Sequence, residues 1–280
     1  MGHVSIRRMR RIQTSDLFLP LHNELVTLLR GLDEPDWSRP TVAKQWVVKD
    51  VVAHLLDTDM RRLSSMRDGY RPASRSGNIN SYDEIVTLIN HLNATWVEVA
   101  ERLSPRVLIE LLEWSGPQVA SLFASLPPDD DSFLAVAWAG EERSANWMDV
   151  GREYTEKWHH QEQIRDAVGM PGLTGRRWLA PVLELAMYAL PHSFRHAEVL
   201  PGSTLSFTIE GEAGGVWHIT NGSSGWELRE EEPTEATACV RLDTETAWRL
   251  FFNALRQGKQ SAGLRLTCGK SFCTAKSARN

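Results

Sequence analysis

The chain has 280 residues, of which 42% are hydrophobic and 24% are charged, the composition of an ordinary globular protein. Its formal net charge of -5 gives no global basic field, so nucleic acid is not an expected partner. No apolar run approaches the ~20 residues that span a bilayer, and the basic N-terminal segment lacks the apolar stretch of a signal peptide. The three cysteines are too few and too clustered for a disulfide framework, which favours a cytoplasmic location.

Hydrophobic periodicity predicts helices over the first two thirds of the chain. Capping residues and helix-ending glycines mark their boundaries, at Gly31, Ser81, Ser104 and Gly169. The predicted helices cover approximately residues 17–31, 46–69, 81–99, 104–127, 144–169 and 176–190.

The pattern changes to alternating apolar and polar residues after the sixth helix, which predicts short strands. These strands cover residues 205–209, 216–220, 226–228 and 238–242, and Asp243 then caps one more helix. A run of helices followed by a run of strands indicates two domains, joined near residues 191–201.

We therefore predict an α plus α/β protein, a four-helix-type bundle followed by a small α/β domain. The predicted division is an N-terminal tail over residues 1–14, a helical bundle over 15–195, the small domain over 196–257 and an irregular basic tail over 258–280. The last segment contains basic but no acidic residues. An unstructured tail is a simpler interpretation of it than a nucleic-acid-binding arm.

The fifth helix carries the most informative motif, a glutamate and a histidine four residues apart. Glu156 and His160 share one helix face, which continues through the apolar Ile164 and is therefore predicted to point inward. A neighbouring line that includes His159 is polar throughout, so His159 is predicted to be solvated. The inward pair is either a hydrogen-bonded core pair or two ligands of a metal. Glu153, one turn earlier, is predicted as a solvated carboxylate, with orientation of a ligand histidine as the alternative.

The second helix offers a third ligand. His54 lies among valines and leucines on the predicted inner stripe. A lone inward histidine is usually a satisfied core residue, but the inward Glu156 and His160 make a metal site an equal interpretation. Two imidazoles, one carboxylate and an open position are the usual composition of a catalytic zinc site.

Residues 46–55 and 156–165 together resemble the two signature segments of the maleylpyruvate isomerase N-terminal domain, the mycothiol-dependent branch of the DinB-like metalloenzymes. The resemblance implies that His54, Glu156 and His160 bind a divalent metal, usually zinc, and that the small second domain is sterol-carrier-like. Val47 and Gln163 depart from the family pattern, which usually has Ser or Thr and an acidic residue at these positions. Neither departure removes a ligand.

The resemblance further implies a metal-dependent isomerase or thiol transferase in which the metal activates a thiol such as mycothiol. The expected partners are a small-molecule substrate and a thiol cosubstrate, with the chain a monomer or homodimer. Two alternatives remain, a metal hydrolase with water as the nucleophile and a non-catalytic metal- or ligand-binding module. No phosphate-binding loop, serine-hydrolase elbow or C-x-x-C pair favours another enzyme class.

Overall fold

The computed structural model describes residues 10–43, 45–70, 82–229, 233–252 and 265–268. Within them a helical bundle precedes a small mixed sheet, which confirms the predicted fold class. The helices are α1 (Phe18–Arg30), α2 (Val48–Arg62), α3 (Tyr82–Ala100), α4 (Pro105–Ser125), α5 (Asn146–Val168), α6 (Arg176–Met187), α7 (Leu190–Ser193) and α8 (Thr244–Phe251). The strands are β1 (Thr204–Glu210), β2 (Gly215–Gly222), β3 (Gly225–Arg229), β4 (Ala238–Asp243) and β5 (Arg265–Cys268).

Local capping interactions bound α4 and α5 close to the predicted positions, whereas α2 ends at Arg62, short of the predicted residue 69, and is followed by a π-helical turn over Leu63–Arg67. The Ser104 hydroxyl accepts a hydrogen bond from the Val107 backbone N–H and so caps α4. Gly169 ends α5 in the left-handed conformation with a φ of 72°, which a residue without a side chain adopts readily. The predicted cap of α3 at Ser81 lies outside the described residues.

The bundle is organised around α5, which contacts α1, α2 and α6, while α4 packs against α1 and α2 and α3 packs against α2. The large side chains of Tyr154 and Trp158 are fully buried on α5. Their polar atoms donate hydrogen bonds to the backbone oxygens of Trp178 and Leu173, each at 3.0 Å. Aromatic rings with satisfied polar tips therefore fill the centre of the bundle.

The sheet has the strand order β3-β2-β1-β4-β5, with β1 and β4 parallel and the other neighbouring pairs antiparallel. Alternate residues of β1 are buried, namely Leu205, Phe207 and Ile209. They belong to one apolar cluster that also contains Trp158 of α5 and Trp248 of α8, whose rings meet edge to face at 5.5 Å. The helical and sheet parts thus share a continuous core, and the boundary near residues 191–201 stays a prediction.

The predicted tails differ from the structure at two points. Residues 10–14 are not a free tail, because Ile12 is buried beside Met148 and Leu185 and the Tyr188 hydroxyl donates a hydrogen bond to the Arg10 oxygen. Residues 265–268, predicted as irregular, form the edge strand β5, which pairs with β4. Periodicity could not reveal so short a strand, since only its partner defines it. The remaining residues of both predicted tails lie outside the described part.

A buried ion cluster joins α2 to α5. Arg62 donates hydrogen bonds to both carboxylate oxygens of Asp149 at 2.9 Å and to Glu153 Oε2 at 2.8 Å. All three residues are buried. The prediction that Glu153 is solvated is therefore wrong, because α2 packs across that face of α5 and supplies the compensating charge. Burial raises the pKa of Glu153, but the charges of Arg62 and Arg152 outweigh this effect and lower it to about 2.

None of the helices in the described ranges combines the length and the apolar character needed to cross a membrane.

Gly214→Ala is expected to lower the free energy of unfolding by about 1–3 kcal/mol, the usual cost of overpacking. A Cβ at this position would lie 1.9 Å from the Ile209 backbone oxygen, so the backbone itself must move. The matched control is Gly222→Ala in β2, whose Cβ would meet its nearest neighbour at an ordinary 3.6 Å. Urea unfolding of both variants measures the difference, and equal midpoints would contradict the close approach.

Arg62→Met is expected to lower the free energy of unfolding at pH 7 by about 3–5 kcal/mol, because it leaves two buried carboxylates with only the partly exposed Arg152 as a counter-charge. Because the pKa of Glu153 is lowered from 4.5 to about 2, its ionisation stabilises the fold fully above pH 4.5, and this contribution is lost as the pH falls towards 2. The cost of the substitution should therefore shrink over that pH range.

The control for this prediction is Arg106→Met, which removes an exposed ion pair with Glu110 on α4 and should change stability little. Urea unfolding as a function of pH compares the two variants. An Arg62 variant as stable as the Arg106 variant at pH 7 would show that the cluster does not hold the two helices together.

Candidate metal site

Helix α2 presents His54 from its buried side. The helix begins at Val48, and the Asp50 carboxylate accepts a hydrogen bond from the Val47 backbone N–H at 3.0 Å, so the start of the helix is capped without a Ser or Thr at position 47. Val51 and Leu55 on the same stripe are fully buried, and His54 is 6% exposed. The predicted inward position of His54 is confirmed. Its Nδ1 atom has no hydrogen-bond partner among the described residues.

Helix α5 presents His160 and Glu156 along a face that emerges from the core towards solvent. Ile164 is completely buried, the His160 side chain is 13% exposed and the Glu156 side chain is 48% exposed. The prediction that Glu156 points into the core is therefore wrong, because the helix face leaves the apolar interior within two turns. Glu156 lies at the mouth of the site and His54 at its buried end.

The three predicted residues lie next to one another. The imidazole rings of His54 and His160 meet edge to face with centroids 4.7 Å apart. His160 Nε2 lies 3.5 Å from Glu156 Oε2. The centroid of the Trp46 ring lies 4.9 Å from that of the His54 ring and 6.3 Å from that of the His160 ring. Helices α2 and α5 thus bring the His54 imidazole next to the Glu156 carboxylate and the His160 imidazole, which follow it by about a hundred residues in the sequence.

The charge states of these groups follow from their surroundings. Burial and the adjacent His160 lower the pKa of His54 to about 3, so His54 is neutral at pH 7. Loss of hydration raises the pKa of the Glu156 carboxyl. The interaction of this carboxyl with His160 outweighs that effect and lowers the pKa to about 2. A neutral imidazole and an ionised carboxylate are the protonation states in which these residues bind a metal.

The donor set fits a divalent metal in its chemistry. Two imidazoles and one carboxylate are the ligands of many catalytic zinc sites, and Nδ1 of His54 is a buried polar atom without a hydrogen-bond partner in the part of the chain that the structure describes. With the side chains as they stand, the described residues include no group of three or more His, Cys, Asp or Glu arranged to hold a metal ion. The kinds of ligand residue and their proximity support a metal site, whereas the positions of their side chains do not yet form one. The half-exposed Glu156 is the group farthest from the buried end.

His159 is placed differently from the prediction. It was expected to be solvated, but it is only 8% exposed. Its ring lies 4.9 Å from the ring of Phe252 and 6.5 Å from that of Trp248, both in or next to α8. The sheet part of the protein covers this polar line of α5, and a helical-wheel argument limited to the bundle could not include that contact. Burial, followed by the neighbouring His160, lowers the pKa of His159 to about 4.

Sequence reasoning did not assign a role to Gln163, which lies between the two histidines. Its amide contacts both imidazoles, with His160 Nδ1 at 2.9 Å and His159 Nε2 at 2.7 Å. The available signal was its position three residues after His160 and four after His159, the spacings at which helix side chains meet.

A small cavity lies in the bundle on another side of α5, next to Asp59, Lys157 and Gln161. Lys157 Nζ donates to Asp59 Oδ1 at 2.5 Å, and Ser115 donates to the other carboxylate oxygen at 2.7 Å. The cavity holds about 20 Å³, room for a water-sized molecule but not for an organic substrate.

Comparison with known proteins agrees with this architecture. Residues 18–165 match the family model described as the mycothiol maleylpyruvate isomerase N-terminal domain, a span that contains all three candidate ligands. No curated protein matches the chain significantly.

Two solved structures resemble most of the chain. One is a crystal structure of mycothiol-dependent maleylpyruvate isomerase, with a TM-score of 0.54 and 12% identity. The other is a histidine-to-alanine mutant of mycothiol-dependent maleylpyruvate isomerase, with a TM-score of 0.53 and 11% identity. Each alignment covers 90% of this chain and 91% of the other. At these identities the likeness establishes the fold, including the sheet part beyond the family match. The family match spans just over half of the chain, and the chain belongs to the family of the mycothiol maleylpyruvate isomerase N-terminal domain.

Proposed function

We propose that the protein is a metal-dependent enzyme that activates a low-molecular-weight thiol for addition to an unsaturated, electrophilic substrate. The observation that carries the proposal is the meeting of His54, His160 and Glu156 at the α2–α5 contact, where His54 Nδ1 has no partner among the residues that the structure describes. Family membership supports a thiol of the mycothiol type and a substrate related to maleylpyruvate.

His54, His160 and Glu156 would hold the metal in this proposal. A bound zinc ion supplies a Lewis acid that lowers the pKa of a thiol or water at its open position. The two imidazoles are neutral ligands and Glu156 contributes one negative charge, so the site would retain a net positive charge that favours an anionic sulfur. The partial exposure of Glu156 leaves that side accessible to the thiol and the substrate.

The surrounding aromatic residues would shape the space for the organic ligand. Trp46 lies against both candidate histidine ligands and forms an apolar wall beside them. Such a wall excludes water from one side of the site and strengthens electrostatic interactions there. Addition of the thiol sulfur to a cis double bond leaves a single bond that can rotate. Loss of the same thiol then yields the trans isomer, so the thiol is regenerated and no oxidant is needed.

Zinc is expected to stabilise the wild-type protein against unfolding, by about 2.7 kcal/mol when free zinc is a hundredfold above its dissociation constant. His160→Ala should abolish the stabilisation, because two remaining ligands hold the ion weakly. The matched control is His91→Ala on the exposed surface of α3, which should respond to zinc as the wild type does. Thermal unfolding with zinc and with a chelator measures the effect. Identical melting of the wild type under both conditions would refute the metal site.

The zinc-loaded protein is expected to convert maleylpyruvate to its trans isomer only when a low-molecular-weight thiol such as mycothiol is present. His54→Ala should remove this activity, since His54 is the most buried candidate ligand. Absorbance or proton NMR of the substrate follows the reaction, with a saturated diacid as a negative control and a panel of other electrophiles for transferase activity.

The outcomes separate the alternatives. Hydrolysis of esters or amides by the zinc-loaded protein without any thiol would favour a metal hydrolase and overturn the thiol proposal. Tight zinc binding without turnover of any electrophile in the presence of mycothiol would favour a non-catalytic binding module.

A further inference from the structure

Gln163 connects the two adjacent histidines of α5 through its side-chain amide. Its Oε1 lies 2.9 Å from His160 Nδ1, and its Nε2 lies 2.7 Å from His159 Nε2. An amide oxygen can only accept a hydrogen bond and an amide nitrogen can only donate one. In this arrangement His160 therefore carries its proton on Nδ1, and His159 Nε2 is an acceptor.

The proton position on His160 determines which of its nitrogens can bind a metal. With Nδ1 protonated, the lone pair is on Nε2, the atom that lies 3.5 Å from Glu156 Oε2. A metal-binding histidine commonly donates its second N–H to an oxygen acceptor, which fixes the tautomer and the ring orientation. Oε1 of Gln163 is placed as that acceptor.

We propose that Gln163 is a positioning residue that holds His160 with Nδ1 protonated and Nε2 directed towards the metal position. This inference rests on the proposed function, in which His160 is a ligand. Rotation of the amide by 180° would exchange its oxygen and nitrogen, place the His160 proton on Nε2 and block the lone pair. The orientation of the buried Gln163 amide thus determines whether His160 Nε2 is free to bind a metal.

The contacts that hold this amide in place extend, through His159, to the C-terminal part of the chain. Gln163 and His159 are 7% and 8% exposed, so water competes little for their hydrogen bond. The His159 ring is held between α5 and the rings of Phe252 and Trp248. Docking of α8 therefore supports His160 indirectly, through His159 and Gln163, without contributing a ligand.

Two substitutions test the role of Gln163. Gln163→Leu removes both hydrogen bonds at similar volume, and zinc affinity should fall about 10–100-fold, the usual effect of losing such a partner. Gln163→Glu keeps an oxygen acceptor for His160 Nδ1 and should retain zinc affinity close to that of the wild type. Competition with a chromophoric chelator measures the affinities. Histidine ¹⁵N shifts, from two-bond ¹H–¹⁵N NMR spectra of the metal-free protein, report the tautomer of His160.

The matched control is Gln161→Leu, which removes another buried amide from α5 on the side that faces Leu21 and Leu25 of α1. It should alter stability but neither zinc affinity nor the His160 tautomer. A purely structural role for Gln163 would make the Gln163→Leu and Gln161→Leu variants behave alike, and that result would overturn the proposal. So would a folded Gln163→Glu variant as impaired as Gln163→Leu.

The NMR measurement also distinguishes this inference from the proposed function. If the wild type binds no zinc, the proposed function fails, whereas His160 protonated on Nδ1 in the wild type but not in Gln163→Leu still supports the positioning role. His160 protonated on Nε2 but not on Nδ1 in the metal-free wild type would overturn that role even if zinc binds, and this result is obtained without the variants, whether or not they fold.

Discussion

The contact between α2 and α5 is the constraint on which the candidate site depends, and the buried Arg62 cluster fixes its register. At a rise of 1.5 Å per residue, Arg62 lies about 12 Å along α2 from His54, and Glu153 lies about 10 Å along α5 from His160. The helices run in opposite directions, so pairing Arg62 with Glu153 brings the two histidines opposite each other. A shift of one turn would separate both pairs at once. The ion cluster and the histidine pair therefore depend on the same register.

Much of the fold followed from sequence because local signals and global packing agree. Glycine and capping residues bound α1, α4 and α5 near their predicted positions, and alternation found four strands whose inward residues belong to the core. The strand β5 and the packed residues 10–14 were not found, since neither has a pattern of its own. Ile12 is buried only because the α5–α6 region supplies a surface for it.

The sequence predicted which residues form the candidate site, but not which neighbouring elements cover them. Spacing placed His54 and His160 on inner stripes, and both lie there. The same reasoning misplaced Glu156 and His159, because it assigned α5 one buried and one solvated face. In the structure α2 covers part of the polar face and α8 another part, so His159 is buried although its line on the helix is polar. Long-range contacts made by a second part of the chain are not encoded in the period of a single helix.

Two groups of buried polar residues at the α2–α5 contact differ in how far the protein satisfies them. Arg62, Asp149 and Glu153 satisfy one another, as buried charges must in a stable fold. His54 is as deeply buried, yet its Nδ1 has no partner in the described residues, and the carboxylate nearest to the histidine pair is turned partly towards solvent. A buried imidazole with an unmet hydrogen-bonding atom is unfavourable in isolation, and a ligand bound beside it would offset that cost. That imbalance, together with the spacing of the motif, is what makes the α2–α5 contact the candidate binding site.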